Sequence, residues 1–176
     1  LLGTIIKYPV SSLGIDKKSG NIRTKKMGYF YADKDNFEDV QRSAGTFGMR
    51  NPLTFLLEAA DDIAYKTADI EDAVKKGCIY YERLLQELRG FRPEQQTEQY
   101  RRIVSWLEER FGKGVQRDYS RPDLYAVQNW VISVQGQMIA GVTDCFTANY
   151  GAIMDGSYGK DMFAGTGVEL LMDALG

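Results

Sequence analysis

A chain of 176 residues, 44% hydrophobic and 26% charged with a formal net charge of −2, is large enough to bury one sizeable core. It contains no histidine, which excludes a Ser-His-Asp triad, an H-E-x-x-H zinc site and an imidazole general base within the chain. No apolar run reaches the roughly 18 residues of a membrane span, no signal-peptide pattern occurs, and Cys78 and Cys145 stand in no metal or redox spacing, so a reducing cytoplasm is the expected setting.

The first thirty residues are basic, with Lys7, Lys17, Lys18, Arg23, Lys25 and Lys26 against Asp16 alone, whereas residues 31–76 are net acidic. Two strand-like or irregular pieces, TIIKYPV and GYFYA, are joined there by a Gly/Ser/Lys loop from Ser11 to Met27. Helices dominate beyond that point. A short one is expected from Asp35 to about Ser43, a longer one from Pro52, and another from about Cys78 to Leu88. From Glu94 to Phe111, Tyr100, Ile103, Val104, Leu107 and Phe111 recur at helical spacing. Ser120-Arg121-Pro122-Asp123 has the form of a capping box and opens a long apolar helix running towards Met154. Asp155 to Gly167 is a glycine-rich loop leading to a last helix at Val168. The predicted architecture is all-α, a single helical domain over residues 1–176 with a small irregular, β-like N-terminal arm.

The most informative stretch is Asn51 to Gly77. Asn51 can cap the free N–H groups, Pro52 suits the first helical position, and Gly77 can take the left-handed conformation past the end. At about 100° per residue, Leu53, Leu56, Ala59, Ala60, Ile63, Thr67, Ile70 and Val74 form one arc, while Glu58, Asp61, Asp62, Tyr65, Asp69 and Asp72 share the opposite one. Asp61, Tyr65 and Asp69, spaced i, i+4, i+8, stack as a column of acid, phenol and acid. The stripe suits a solvated outer face. It also suits a bound cation, because its five carboxylates repel one another with Lys66 as the only nearby counter-charge.

Other features have plainer readings. There is no Walker loop and no dinucleotide fingerprint, and Asp33-Lys34-Asp35-Asn36 opens like a calcium loop but lacks its glycine and closing glutamate. Trp106, Trp130, Phe146 and Tyr150 read as core or subunit interface, and Asp144 as a helix-face contact. Lys17, Lys18, Arg23 and Lys25 read as a solvated loop, with contact to phosphate or single-stranded nucleic acid as the alternative.

The run RNPLTFLLEAADDIAYKTADIEDAVKKG resembles the deoxyguanosine triphosphate triphosphohydrolases, an HD-domain family of nucleotide hydrolases. KYP at Lys7, KMGYF from Lys26 and IAGVTD from Ile139 agree in order, and the tail GKDMFAGTGVELLMDAL is similar to bacterial members. The resemblance implies hydrolysis of a deoxynucleoside triphosphate such as dGTP to deoxynucleoside and inorganic triphosphate, with a divalent metal, manganese or magnesium, as cofactor. It implies that Asp61 is the last ligand of an H…HD…D metal set, that Tyr65 packs on the deoxyribose, and that Asp69 accepts a hydrogen bond from the 3′-hydroxyl. Lys7 and Lys26 are the implied holders of phosphate oxygens. A homo-oligomer, hexameric in many members, and stimulation by single-stranded DNA in some members are further implications. Asn51 stands where many relatives carry histidine, and its capping role gives it sufficient reason. The family's metal histidines lie upstream of the KYP region, so the chain reads as a middle-to-C-terminal fragment, inactive and without bound metal in isolation. The competing expectation is a non-catalytic helical module that binds nucleic acid or a protein partner.

Overall fold

The structure is a computed structural model and describes residues 2–176; among them there is no strand, and there are eight α-helices, with three 3-10 turns between the first two and one between the fourth and fifth. The helices are α1 (Leu2–Ile5), α2 (Lys34–Ser43), α3 (Pro52–Lys75), α4 (Tyr81–Gly90), α5 (Glu98–Gln116), α6 (Pro122–Ala148), α7 (Tyr150–Met154) and α8 (Glu169–Ala174). The all-α expectation holds. The β-like character of the arm reduces to one isolated parallel bridge between Ser11 and Tyr29; TIIKYPV begins within α1 and GYFYA runs into a 3-10 turn. No helix of the described residues is long and apolar enough to cross a membrane.

Internal contacts divide the chain into two compact units, one formed by the chain up to Ala60 with Val142–Ala164, the other by Asp61–Gly141 with Gly165–Gly176. In the first unit the arm is fixed by polar contacts far apart in sequence. Arg23 donates from Nη1 to the Gly156 carbonyl at 2.8 Å and from Nη2 to the Gly48 carbonyl at 2.6 Å, and the Ile22 N–H donates to the Gly159 carbonyl at 3.1 Å. Arg23 is therefore not a solvated loop residue. Tyr29 stacks on Phe37 with ring centroids 4.1 Å apart, and Thr54 Oγ1 donates to the Thr4 carbonyl at 2.8 Å.

The second unit has its core where α5 meets α6. Ile103, Leu107, Val127, Trp130, Val134 and Met138 are fully buried there, and Trp130 Nε1 donates to the Ile103 carbonyl at 2.8 Å. Trp130 is thus core, as expected, while Tyr150 in the first unit is exposed. Two helix starts fall later than the periodicity predicts. Gly77 takes φ +72°, and the Cys78 and Ile79 N–H groups both donate to the Ala73 carbonyl, so the chain spends residues 76–80 on the turn before α4 and leaves Cys78 exposed. Thr97 caps α5 by accepting from the Tyr100 N–H at 3.1 Å, which places the start at Glu98 rather than Glu94. The helix expected to reach Met154 breaks at Asn149, whose Nδ2 donates to the Cys145 carbonyl at 2.8 Å.

Candidate functional site

The two lysines expected at phosphate sit on neighbouring segments of the first unit. The Gly28 N–H donates to the Val10 carbonyl at 2.9 Å, and the Ser11–Tyr29 bridge continues this pairing, so the segment carrying Lys26 lies along the segment carrying Lys7. Lys26 is exposed and Lys7 half-buried. The approach depends on glycine: a Cβ on Gly28 would stand 1.8 Å from the Tyr8 carbonyl oxygen, inside any allowed contact and against backbone that cannot rotate away. Gly28→Ala is accordingly expected to destabilise the chain by about 3 kcal/mol, the upper end for overpacking. A urea unfolding curve checks it, and an unchanged midpoint would show that the segments are not in contact.

Beneath Lys7, Tyr8 is buried against a charged pair. Arg50, only 1% exposed, pairs through Nη2 with the Glu58 carboxylate and lies over the rings of Phe55, 4.6 Å from the centroid, and Tyr8, 5.7 Å from it. Tyr8 donates its hydroxyl to Glu58 Oε1 over a long 3.5 Å. Burial, with the Glu58 charge second, raises the Tyr8 hydroxyl pKa above its ordinary value, which keeps it a donor. Arg50 Nε and Nη1 are buried with no hydrogen-bond partner among the described residues, so Glu58 carries the guanidinium's neutralisation. The sequence pointed to neither residue in this role. Glu58 reads as one more member of the acidic stripe, and Arg50 as the residue before a cap.

In the second unit α3 carries the acid–phenol–acid column. Its rotation is set by two polar contacts to α6, where Gln135 Nε2 donates to Thr67 Oγ1 at 2.8 Å and Gln128 Nε2 donates to Glu71 Oε1 at 2.9 Å. Thr67 is fully buried and also donates to the Ile63 carbonyl at 2.6 Å. At 3.6 residues per turn Tyr65 and Asp69 lie about 160° around the helix from Thr67 and Asp61 about 120°. The exposures agree: Tyr65 is 72% exposed, Asp69 is exposed and Asp61 half-buried. The buried arc differs from the predicted one. Phe55, Ala59, Ile63, Thr67 and Val74 are buried, whereas Leu53 and Ala60 are exposed.

The charges on this helix are also distributed differently. Lys66 Nζ donates to the Met172 carbonyl at 2.8 Å, while Glu58 is paired with Arg50 and Asp72 with Lys76 at 3.0 Å. Lys66 is thus not the sole counter-charge of the stripe. Among the described residues no group of three or more His, Cys, Asp or Glu side chains is placed to hold a metal ion. With no histidine in the chain, the histidines of the expected H…HD…D set are not supplied by these residues.

Two cavities accompany these elements. One of about 240 Å³ in the first unit is lined by Asp16, Lys17, Asn21, Lys25, Lys160 and Asp161, and one of about 460 Å³ in the second by Trp106, Arg110, Lys113, Tyr125, Asn129 and Gln137 among others. Neither is lined by Asp61, Tyr65 or Asp69.

No protein-family model matches the chain. Curated proteins do. A deoxyguanosinetriphosphate triphosphohydrolase-like protein of Listeria monocytogenes is 38% identical over 175 residues, which is 99% of this chain and 36% of the relative. A deoxyguanosinetriphosphate triphosphohydrolase of Yersinia enterocolitica is 29% identical over 164 residues, covering 90% of this chain and 32% of the relative. One of Serratia proteamaculans is 40% identical over 91 residues, 49% of this chain. The chain spans about a third of the length of the first two relatives. With 38% identity over nearly every residue, the chain belongs to the deoxyguanosinetriphosphate triphosphohydrolase family, of whose members it matches a part.

Proposed function

We propose that the chain is part of a longer hydrolase that cleaves a deoxynucleoside triphosphate, dGTP among them, into deoxynucleoside and inorganic triphosphate. One observation carries it: α3 is locked in rotation by Thr67 and Glu71, so that the column Asp61, Tyr65, Asp69 stands on the arc away from that contact. Identity of 38% over 99% of the chain with a protein named deoxyguanosinetriphosphate triphosphohydrolase-like supports the same reading.

Each residue has a task suited to its chemistry. Lys7 and Lys26 are compact cations that offset the charge of the triphosphate oxygens. The exposed Tyr65 ring offers an apolar face to the sugar, and Asp69 offers an acceptor for a 3′-hydroxyl. Asp61 gives one carboxylate to a divalent ion, manganese or magnesium, whose remaining ligands lie outside this chain. A homo-oligomeric assembly, single-stranded DNA as a further partner and a cytoplasmic setting complete the proposal.

The test is triphosphate release by the complete protein from dGTP and from GTP, followed by anion-exchange chromatography, with manganese or magnesium added. Triphosphate is expected from dGTP in preference to GTP. Release of pyrophosphate or orthophosphate instead, or equal use of the ribonucleotide, would overturn the assignment. A second reading, a helical module that binds nucleic acid or a protein partner without hydrolysis, is favoured by the lack of histidine and of a metal-ligand cluster among the described residues. Absence of any turnover in the complete protein would move it ahead.

A further inference from the structure

We infer that Glu58 and Arg50 are positioning residues for the phosphate-binding lysine Lys7, acting through Tyr8. The inference rests on the reading that Lys7 meets phosphate oxygens, and it adds two residues of the first unit to that reading.

Tyr8 is gripped at three points. Its carbonyl oxygen lies against the Cα of Gly28, its ring lies 5.7 Å from the Arg50 guanidinium, and its hydroxyl reaches Glu58 Oε1 at 3.5 Å. Arg50 in turn is immobilised by burial, by the Phe55 ring and by its pairing with Glu58. Glu58 is the joint of the arrangement, since it touches both the guanidinium and the phenol. The backbone of Lys7, one bond away, has no independent freedom while Tyr8 is held. Lys7 still pays its side-chain rotamer entropy when its ammonium settles on an anion, but the backbone ordering that would add to that cost is already met in the fold. The three residues come from three separated parts of the chain, KYP, the residue before the α3 cap, and the second turn of α3 before Asp61. Interaction of this kind supports ground-state binding of the phosphate tail more than bond cleavage, so it falls on KM rather than on kcat.

Two measurements on Glu58→Gln separate this inference from the function it rests on. In the complete protein, Glu58→Gln is expected to raise KM for dGTP about tenfold with kcat within about twofold, and to add little in a Lys7→Ala background, because both act on one contact. Glu87→Gln, which removes an exposed partner of Arg83, should change neither constant. In parallel, inorganic tripolyphosphate is titrated into the 176-residue chain by calorimetry, where Glu58→Gln and Lys7→Ala are each expected to weaken binding about tenfold without adding. If the complete protein shows no turnover but the tripolyphosphate pattern holds, the hydrolase assignment falls and the positioning role stands. If turnover is present and Glu58→Gln leaves KM and tripolyphosphate affinity unchanged, or its effects simply add to those of Lys7→Ala, the positioning role is overturned. Circular dichroism monitors folding; should Glu58→Gln unfold, Tyr8→Phe removes the hydroxyl contact alone and is read by the same two measurements.

Discussion

Asp61→Ala in the complete protein is expected to lower triphosphate release from dGTP at least about 100-fold, the loss typical of deleting one group that stabilises charge in a reacting centre. The helix should survive the change. Alanine is the best helix former, and Ala59, Ile63, Thr67 and Val74 supply buried apolar and hydroxyl contacts of α3 that the change leaves in place. The proposed role of Asp61 is to present a carboxylate, so the conservative Asp61→Asn, which keeps the shape and removes the charge, should fall nearly as far. Asp72→Ala is the control on the same helix. Asp72 is exposed and pairs with Lys76 in an i, i+4 surface bridge, worth a few tenths of a kcal/mol, and its loss should leave turnover alone. Normal release by Asp61→Ala, measured beside an intact helical spectrum, would remove Asp61 from the site and with it the reason for reading the column as functional.

The α3 helix was the most legible part of the sequence because its ends are written in local chemistry. Asn51 Oδ1 accepts from the Leu53 N–H at 3.0 Å, and Gly77 holds the positive φ its position demands. The inward face was less legible. Thr54 is buried because its hydroxyl finds the Thr4 carbonyl, and Thr67 because it finds Gln135, and a hydropathy pattern has no means of showing partners so distant in sequence. The same limit hid the roles of Arg23 and Arg50. A basic residue read alone is a solvent residue, and only the fold supplies the carbonyls of Gly48 and Gly156 or the carboxylate of Glu58. The break at Asn149 escaped for the opposite reason: an asparagine in an apolar helix is unremarked until its side chain competes for the Cys145 carbonyl. The candidate site divides along this line. The column on α3 follows from periodicity, whereas the Tyr8, Arg50 and Glu58 cluster follows from tertiary contacts.

That cluster carries the second large effect. Glu58→Ala is expected to destabilise the chain by about 3–5 kcal/mol, because it leaves the Arg50 charge buried without its carboxylate. At 1% exposure the guanidinium cannot reach water without moving Tyr8 and Phe55. A second substitution tells the two possible origins of this loss apart. If the cost were lost packing, Arg50→Met added to Glu58→Ala would deepen it; if it is uncompensated charge, the added methionine removes the charge, fills much of the arginine volume and recovers most of the loss. Recovery is the expected result, read as the urea midpoint of the double variant against each single one. The loss should also be insensitive to salt, since screening over a Debye length of about 8 Å in physiological buffer requires ions that a buried guanidinium excludes. A Glu58→Ala cost under about 1 kcal/mol, fading as salt is added, would be the behaviour of a surface ion pair and would contradict the burial of Arg50 on which the anchoring of Tyr8 depends.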